Sequence, residues 1–184
     1  MSAPEADTPH RMGEGNTAVL AQLNSSSGVG QWRWLWLSVG VIVLDQWSKW
    51  LIVRAFALGE SLTLLPVFNL VRAHNRGAAF SFLDNDSAWP RWAFAILATG
   101  VSVALIVWLR RLPRRSQLLA AALAFILGGA IGNLIDRVRL GYVVDFVQVH
   151  WAQHYFPAFN VADSAVTVGA ALLLLDTWLA GRRR

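Results

Sequence analysis

Two aspartates in the second half of the chain stand among apolar residues, with no basic residue close to them in sequence. Asp145 lies in "GYVVDFVQVHW" and Asp163 in "FNVADSAV". Two nearby carboxylates in a low-dielectric site cannot both ionise cheaply, so we expect one to keep its proton at neutral pH. Such a pair can activate water and protonate a peptide carbonyl, as in an aspartic protease. A polar packing network explains the same residues equally well at this point.

The composition indicates a membrane protein. The chain has 184 residues, of which 55% are hydrophobic and only 15% are charged. Four apolar segments, at about 34–53, 92–109, 117–136 and 161–180, are each close to the roughly 20 residues that a helix needs to cross a bilayer. The predicted fold class is therefore a mainly α membrane protein with four transmembrane helices.

The arginines predict the orientation of these helices. If the four helices alternate in direction, Arg33, the cluster within Arg110–Arg115 and the arginines of Arg182–Arg184 all fall on one side, which the positive-inside rule makes cytoplasmic. Both termini are then cytoplasmic, and the loops 54–91 and 137–160 are external. We expect a disordered tail over 1–33, a transmembrane domain over 34–180 and a basic C-terminus over 181–184. Because the arginines flank apolar segments, they do not indicate nucleic-acid binding.

The alternation also places several polar residues at one depth, near the outer boundary. These are Asp45 and Lys49 in the first helix, Asn133, Asp136 and Arg137 in the third, and Asn160 and Asp163 in the fourth, with Asp145 in the loop between the last two. An ionisable group within the bilayer costs about 2.5–3.5 kcal/mol on insertion scales, so each needs a partner or a function.

Spacing along the helices separates some of these roles. Asp45 and Lys49 are four residues apart, which predicts an ion pair and favours a structural role for both. Asp136 and Arg137 are adjacent and point about 100° apart, so they do not pair well with each other. Arg137 is therefore free to hold a carbonyl or carboxylate across the cleft.

Two further segments have predicted structural roles. The apolar, β-branched and aromatic stretch "SLTLLPVFNLVRAHNRGAAFSFL" in the first outer loop predicts short strands folded against the membrane surface. In the third helix, Gly128, Gly129 and Gly132 form a small-residue face that lets another helix approach closely.

The motifs together resemble bacterial lipoprotein signal peptidase, also called signal peptidase II. They are "DQWSK" (45–49), "NRGAAFSF" (75–82), "GGAIGNLIDRVRLGYVVDF" (128–146) and "FNVADSAV" (159–166), in order across about 34–180. The resemblance implies four transmembrane helices with an outer β-cradle and a short periplasmic helix. The N-terminal tail is longer than is usual in that family.

The resemblance also implies an activity and a set of site residues. The activity is that of an intramembrane aspartyl endopeptidase of the inner membrane, which cleaves diacylglyceryl-modified prolipoproteins just before the lipidated cysteine, near the periplasmic face. Asp145 and Asp163 would form the catalytic pair. Asn75, Asn133, Arg137 and Asn160 would bind substrate, and Asp45, Lys49, Gly77 and Asp136 would support the site. Neither a cofactor nor a metal is implied, and we expect a monomer whose partners are substrate and membrane lipid.

Other functions fit the sequence less well. A serine–lysine protease would need Ser48 and Lys49, but adjacent residues point apart on a helix. A metalloprotease would need a glutamate within "HWAQH", where only His150 and His154 are present, and the chain has no cysteine to supply a thiolate ligand. A channel would need a relay across the inner half, where Asp176 stands alone. A scaffold remains possible if the polar cluster only joins helices.

Overall fold

The computed structural model describes residues 30–77 and 89–182 of the chain. Within them, four long helices alternate with short strands. The helices are α1 (Leu35–Ala55), which follows a 3-10 turn at Trp32–Trp34, α2 (Trp89–Arg111), α3 (Gln117–Arg139) and α4 (Val161–Gly181). All four are long and apolar enough to cross a membrane. The predicted four-helix fold class is therefore confirmed.

Helix α3 forms the core of the bundle, because α1, α2 and α4 all pack against it. Leu105 and Leu109 of α2 are buried against Leu123 and Leu127 of α3. The outer faces of α1, α2 and α4 expose leucine, valine, isoleucine and tryptophan side chains, as expected of helices whose surroundings are hydrocarbon. Because α3 lies at the centre, the polar residues of its last two turns can contact both α1 and α4.

The glycines of α3 allow close helix packing, as predicted from the sequence. A Cβ atom on Gly128 would lie 2.8 Å from the Val41 Cβ of α1, and one on Gly129 would lie 2.3 Å from the Ala162 carbonyl oxygen of α4. A Cβ on Gly132 would lie 2.7 Å from an Asp45 carboxylate oxygen. Close approach therefore brings the backbones of α1 and α4 to α3 at the depth of the polar residues.

A four-stranded antiparallel sheet covers one end of the bundle, where α1 and α3 end and α4 begins; we call this the site end. Its strands, in sheet order, are β1 (Ser61–Leu65), β2 (Phe68–Asn75), β3 (Val143–Trp151) and β4 (His154–Tyr155). Strands β1 and β2 confirm the strands predicted in the first outer loop. The "AAFSFL" part of that prediction and nearly all of the predicted tail lie outside the described residues.

The second outer loop differs from the sequence expectation. The sequence analysis places Asp145 in the loop between the last two helices, but it lies on β3 and is paired with Ala73 of β2. The strand forms because "VVDFVQV" is rich in β-branched residues and β2 offers it a partner edge. Phe159 then bonds to β3 through two backbone hydrogen bonds with Val147, at 2.8 and 2.9 Å. This pairing brings the start of α4 beside Asp145.

The glycine packing gives a first prediction. Gly129→Ala should lower the free energy of unfolding by about 1–3 kcal/mol, because its Cβ would collide with the backbone of α4 and force the helices apart. The measurement is thermal unfolding of the purified protein in detergent. The matched control is Gly100→Ala on α2, where a Cβ meets no atom within 4 Å. Equal melting temperatures for the two variants would contradict the packing argument.

Candidate active site

A buried lysine lies at the centre of the polar cluster. The Lys49 ammonium contacts an Asp45 carboxylate oxygen at 2.8 Å and an Asp136 carboxylate oxygen at 2.9 Å. It also donates a hydrogen bond of 2.9 Å to the Asn133 side-chain oxygen. An ammonium has three N–H bonds, so each has an acceptor. The predicted Asp45–Lys49 pair is confirmed, and Asp136 pairs with Lys49 across the helix interface.

Each carboxylate of this ion triad also holds a backbone group of another element. Asp45 accepts a hydrogen bond from the Ala162 N–H at 2.9 Å, in the first turn of α4. Asp136 accepts one from the Val144 N–H at 3.1 Å, at the start of β3. The Gln46 side-chain amide bonds to both carboxylates, at 3.2 and 3.0 Å. The triad thus anchors the residues that directly precede Asp163 and Asp145.

Asn160 and Asp163 form the N-terminal cap of α4. The Asn160 side-chain oxygen accepts from the Asp163 N–H at 2.9 Å, and the Asp163 carboxylate accepts from the Asn160 N–H at 3.3 Å. This reciprocal capping box satisfies two of the free N–H groups of the helix end. An asparagine followed by an acidic residue three positions later, before an apolar run, is a signal that the sequence analysis did not use.

The Asn160 side chain also joins the two aspartates. Its amide nitrogen lies 2.7 Å from an Asp145 carboxylate oxygen, while its oxygen holds the Asp163 backbone. Asn160 is fully buried. The described contacts of its amide are all within the protein, and include Asn133 at 3.1 Å and the Val144 carbonyl at 3.3 Å. One residue therefore fixes the position of Asp145 relative to Asp163.

Asp145 itself is buried on β3. Its second carboxylate oxygen accepts from the Asn75 amide at 3.0 Å, across the β2–β3 pair. Burial, and next the charge of Asp163, raise the pKa of Asp145 to about 6, while the hydrogen bonds from Asn75 and Asn160 oppose the rise. The shift has the expected direction. Asp145 therefore binds a proton at a higher pH than an ordinary aspartate does.

Gly77 orients the Asn75 side chain. The Gly77 N–H donates to the Asn75 side-chain oxygen at 2.9 Å, which turns the amide nitrogen towards Asp145. Gly77 has a φ of 105°, and a Cβ there would lie 2.7 Å from the Phe94 ring. Both the backbone angle and the neighbouring ring therefore favour glycine. This geometry is consistent with a supporting position.

On the α4 side, Asn133 contacts Asp163. Its amide nitrogen donates to an Asp163 carboxylate oxygen at 2.7 Å. Arg137, one turn later on α3, interacts electrostatically with both Asp145 and Asp163. Its guanidinium carbon lies 5.0 Å from the centre of the Phe94 ring. The structure therefore brings together all ten residues that the sequence singled out. It adds Gln46, which lies in the "DQWSK" motif but had no predicted role.

The residues that a serine–lysine protease or a metalloprotease would need either bond within their own helix or lie on strands of the sheet. The Ser48 hydroxyl donates to the Asp45 carbonyl oxygen at 2.9 Å, within its own helix. His150 and His154 lie on the paired strands β3 and β4, and the His150 ring stacks on Tyr155. Across residues 30–77 and 89–182, no three His, Asp or Glu side chains are grouped so that they could hold a metal ion.

The contacts of Asp145 give a second prediction. Asn75→Leu should raise the pKa of Asp145 above about 6, because the variant loses a donor that stabilises the carboxylate. The measurement is a ¹³C carboxyl NMR titration of aspartate-labelled protein, with Asp145 assigned from an Asp145→Asn spectrum. Asn69→Leu is the matched control, because Asn69 is buried on the same strand and bonds to Gln148. A lower Asp145 pKa in Asn75→Leu would refute the prediction.

Comparison with known proteins identifies the family. The sequence model of signal peptidase (SPase) II matches residues 37–179. The lipoprotein signal peptidase of Pseudomonas putida is 54% identical over 141 residues, covering 76% of this chain and 82% of its own. That of Acinetobacter baumannii is 50% identical over 147 residues, covering 80% and 84%.

A solved structure agrees with these sequence matches. A bacterial membrane enzyme has a TM-score of 0.72 and 28% identity, covering 83% of this chain and 91% of its own. The residues matched by the family model include all four strands and both aspartates, Asp145 and Asp163. The chain therefore belongs to the signal peptidase II family of membrane peptidases.

Proposed function

We propose that this protein is an aspartyl endopeptidase that removes signal peptides from diacylglyceryl-modified prolipoproteins. The observation that carries the proposal is Asn160, whose side chain contacts the Asp145 carboxylate and the Asp163 backbone at once. This contact sets the position of the Asp145 carboxylate relative to Asp163, and the charge of Asp163 acts on Asp145, as water activation by an aspartate pair requires. The substrate class is taken from the relatives, which are named lipoprotein signal peptidases.

In the proposed reaction, Asp145 carries the shared proton and Asp163 is the base. Asp163 lies in the first turn of α4, where free N–H groups favour a negative charge, whereas burial raises the pKa of Asp145. Asp163 takes a proton from a water molecule while the oxygen of that water attacks the carbonyl carbon of the scissile bond. Asp145 protonates the carbonyl oxygen. As the tetrahedral intermediate collapses, one of its hydroxyl groups returns a proton to Asp145 and the carbonyl re-forms. The C–N bond breaks, and the proton held by Asp163 passes to the departing amine of the lipidated cysteine.

The neighbouring side chains are proposed to hold the substrate backbone. Arg137 adds a cation beside the carboxylate pair, where it can bind a substrate carbonyl, and Asn75 and Asn133 present amides on opposite sides of the pair. Asn160 has the same proposed role, and its amide, like those of Asn75 and Asn133, also bonds within the protein. Asp45, Lys49, Asp136 and Gly77 are proposed to support the site.

The proposed location follows from the charge pattern. The arginines at the end opposite the site end make that end cytoplasmic by the positive-inside rule. The site then lies near the periplasmic face of the inner membrane, where water can reach it and where a substrate anchored by its lipid and its signal helix presents the bond to be cleaved. Both termini are cytoplasmic in this orientation, and the protein acts as a monomer with no cofactor.

Removal of either carboxylate tests the reaction. Asp145→Asn and Asp163→Asn should each lower kcat by at least about 10²–10⁴-fold, because proton transfer by the pair is lost. The assay is cleavage of a purified diacylglyceryl prolipoprotein, with circular dichroism to show that the variants remain folded. Asp176→Asn, near the opposite end of α4, is the control and should keep normal activity. Near-normal cleavage by either dyad variant would exclude the mechanism, and unfolding of both would favour a scaffold role.

The pH profile tests the proton assignment. Because the proposed acid must be protonated and its pKa is about 6, kcat/KM should fall above about pH 6, by roughly tenfold per pH unit. The measurement is kcat/KM from pH 4 to 9 at constant ionic strength. The fall should begin at a higher pH in Asn75→Leu and at an unchanged pH in Asn69→Leu. A profile that stays level up to pH 9 would exclude Asp145 as the acid.

A further inference from the structure

We propose that Lys49 is a positioning residue, which acts on Asp163 by fixing the orientation of the Asn133 side-chain amide. The proposal rests on the function proposed above, because it concerns the base of that reaction. The two ion pairs of Lys49, with Asp45 and Asp136, account for its burial. Its third hydrogen bond, of 2.9 Å to the Asn133 side-chain oxygen, is not needed to neutralise either carboxylate.

The chemistry of the amide makes this third bond directional. The Asn133 oxygen faces Lys49 and its nitrogen donates to Asp163 at 2.7 Å. In the flipped amide, the nitrogen would face the ammonium and the oxygen would face the carboxylate. An ammonium cannot accept a hydrogen bond and a carboxylate cannot donate one, so both contacts would become repulsive. Lys49 therefore keeps an N–H directed at the proposed base.

Asn160 is a weaker anchor for the same amide. Its nitrogen lies 3.1 Å from the Asn133 oxygen, but it is also 2.7 Å from an Asp145 oxygen and 3.3 Å from the Val144 carbonyl. Two hydrogens are shared among three acceptors, and the shortest contact is the one to Asp145. Lys49, with one hydrogen for each of its acceptors, is thus the stronger constraint on Asn133.

The consequence for the reaction lies in the alignment of the base. With the Asn133 donor on one oxygen and the Asn160 backbone N–H on the other, the Asp163 carboxylate plane is fixed relative to Asp145. Arg137 on α3 and Asp145 on β3 also interact electrostatically with Asp163. The Lys49 charge also acts on Asp145, so the effect of the amide is separated from that of the charge by a variant that leaves the net charge unchanged.

The test uses two variants of the full chain in detergent or nanodiscs, with lipidated prolipoprotein as substrate. Lys49→Met removes the anchor. The double variant Lys49→Met with Asp136→Asn also removes one negative charge, so the net charge of the triad is unchanged, and Asn keeps an oxygen for the Val144 N–H. Both should lower kcat by roughly 10–100-fold, as expected for the loss of a hydrogen bond to a charged group, with KM changed less than about threefold.

The pH profile separates positioning from stability. Loss of a donor to the base should shift the acid limb of kcat/KM, that is, its fall at low pH. Circular dichroism recorded at each pH shows that the shift does not come from unfolding. Gln46→Met is the matched control, because Gln46 bonds to Asp45 and Asp136, and its described contacts do not include Asn133. It should lower the melting temperature and leave the acid limb in place.

Three results would overturn the proposal. They are an unchanged acid limb in folded Lys49 variants, an equal shift in Gln46→Met, and failure of both Lys49 variants to fold, which would make Lys49 a structural residue only. The Asp163→Asn variant distinguishes this outcome from failure of the proposed function. If Asp163→Asn is inactive but the Lys49 variants keep the normal acid limb, only the positioning role is wrong.

Discussion

The buried charge of Lys49 is the constraint on which the rest of the site depends. An uncompensated ion in the buried position of Lys49 would cost several kcal/mol, so folding must bring carboxylate partners to the lysine. Asp45 comes from α1 and Asp136 from α3. Because each carboxylate uses a second oxygen or lone pair on a backbone N–H of α4 or β3, folding around the lysine also positions the segments that carry Asp163 and Asp145.

The two aspartates are held by different kinds of structure. Asp163 lies in a helix cap, whose N–H groups are fixed by the helix itself. Asp145 lies on a strand, and its position depends on the pairing of β3 with β2 and on the backbone contacts of Phe159. Two supports of different origin give the carboxylates unlike surroundings. Unlike surroundings are the general means by which a pair of acidic groups takes separate roles as acid and base.

The sequence predicted the helices and the depth of the polar residues because both follow from one-dimensional patterns. Apolar length gives the four spans, and alternation of direction places Asp45, Asn133 and Asp163 at one end. The strand that carries Asp145 could not be placed, since β3 pairs with residues about 70 positions earlier and no local pattern encodes that register. The contacts of Gln46 could not be predicted either, because they depend on how closely the α3 glycines allow α1 to approach.

Asparagine beside the two aspartates has a physical advantage over a charged side chain. Asn75, Asn133 and Asn160 donate hydrogen bonds to the aspartates without adding positive charge. A lysine in direct contact with Asp145 would lower the pKa of that carboxyl and oppose the proton sharing that we propose for the pair. In this arrangement the lysine stands one residue further away and acts through a neutral amide. Lys49 orients the Asn133 amide, and that amide directs an N–H group at Asp163. Most of the Lys49 charge is balanced by Asp45 and Asp136. The site thereby gains rigid donors and keeps a pair of carboxylates that can still hold a proton.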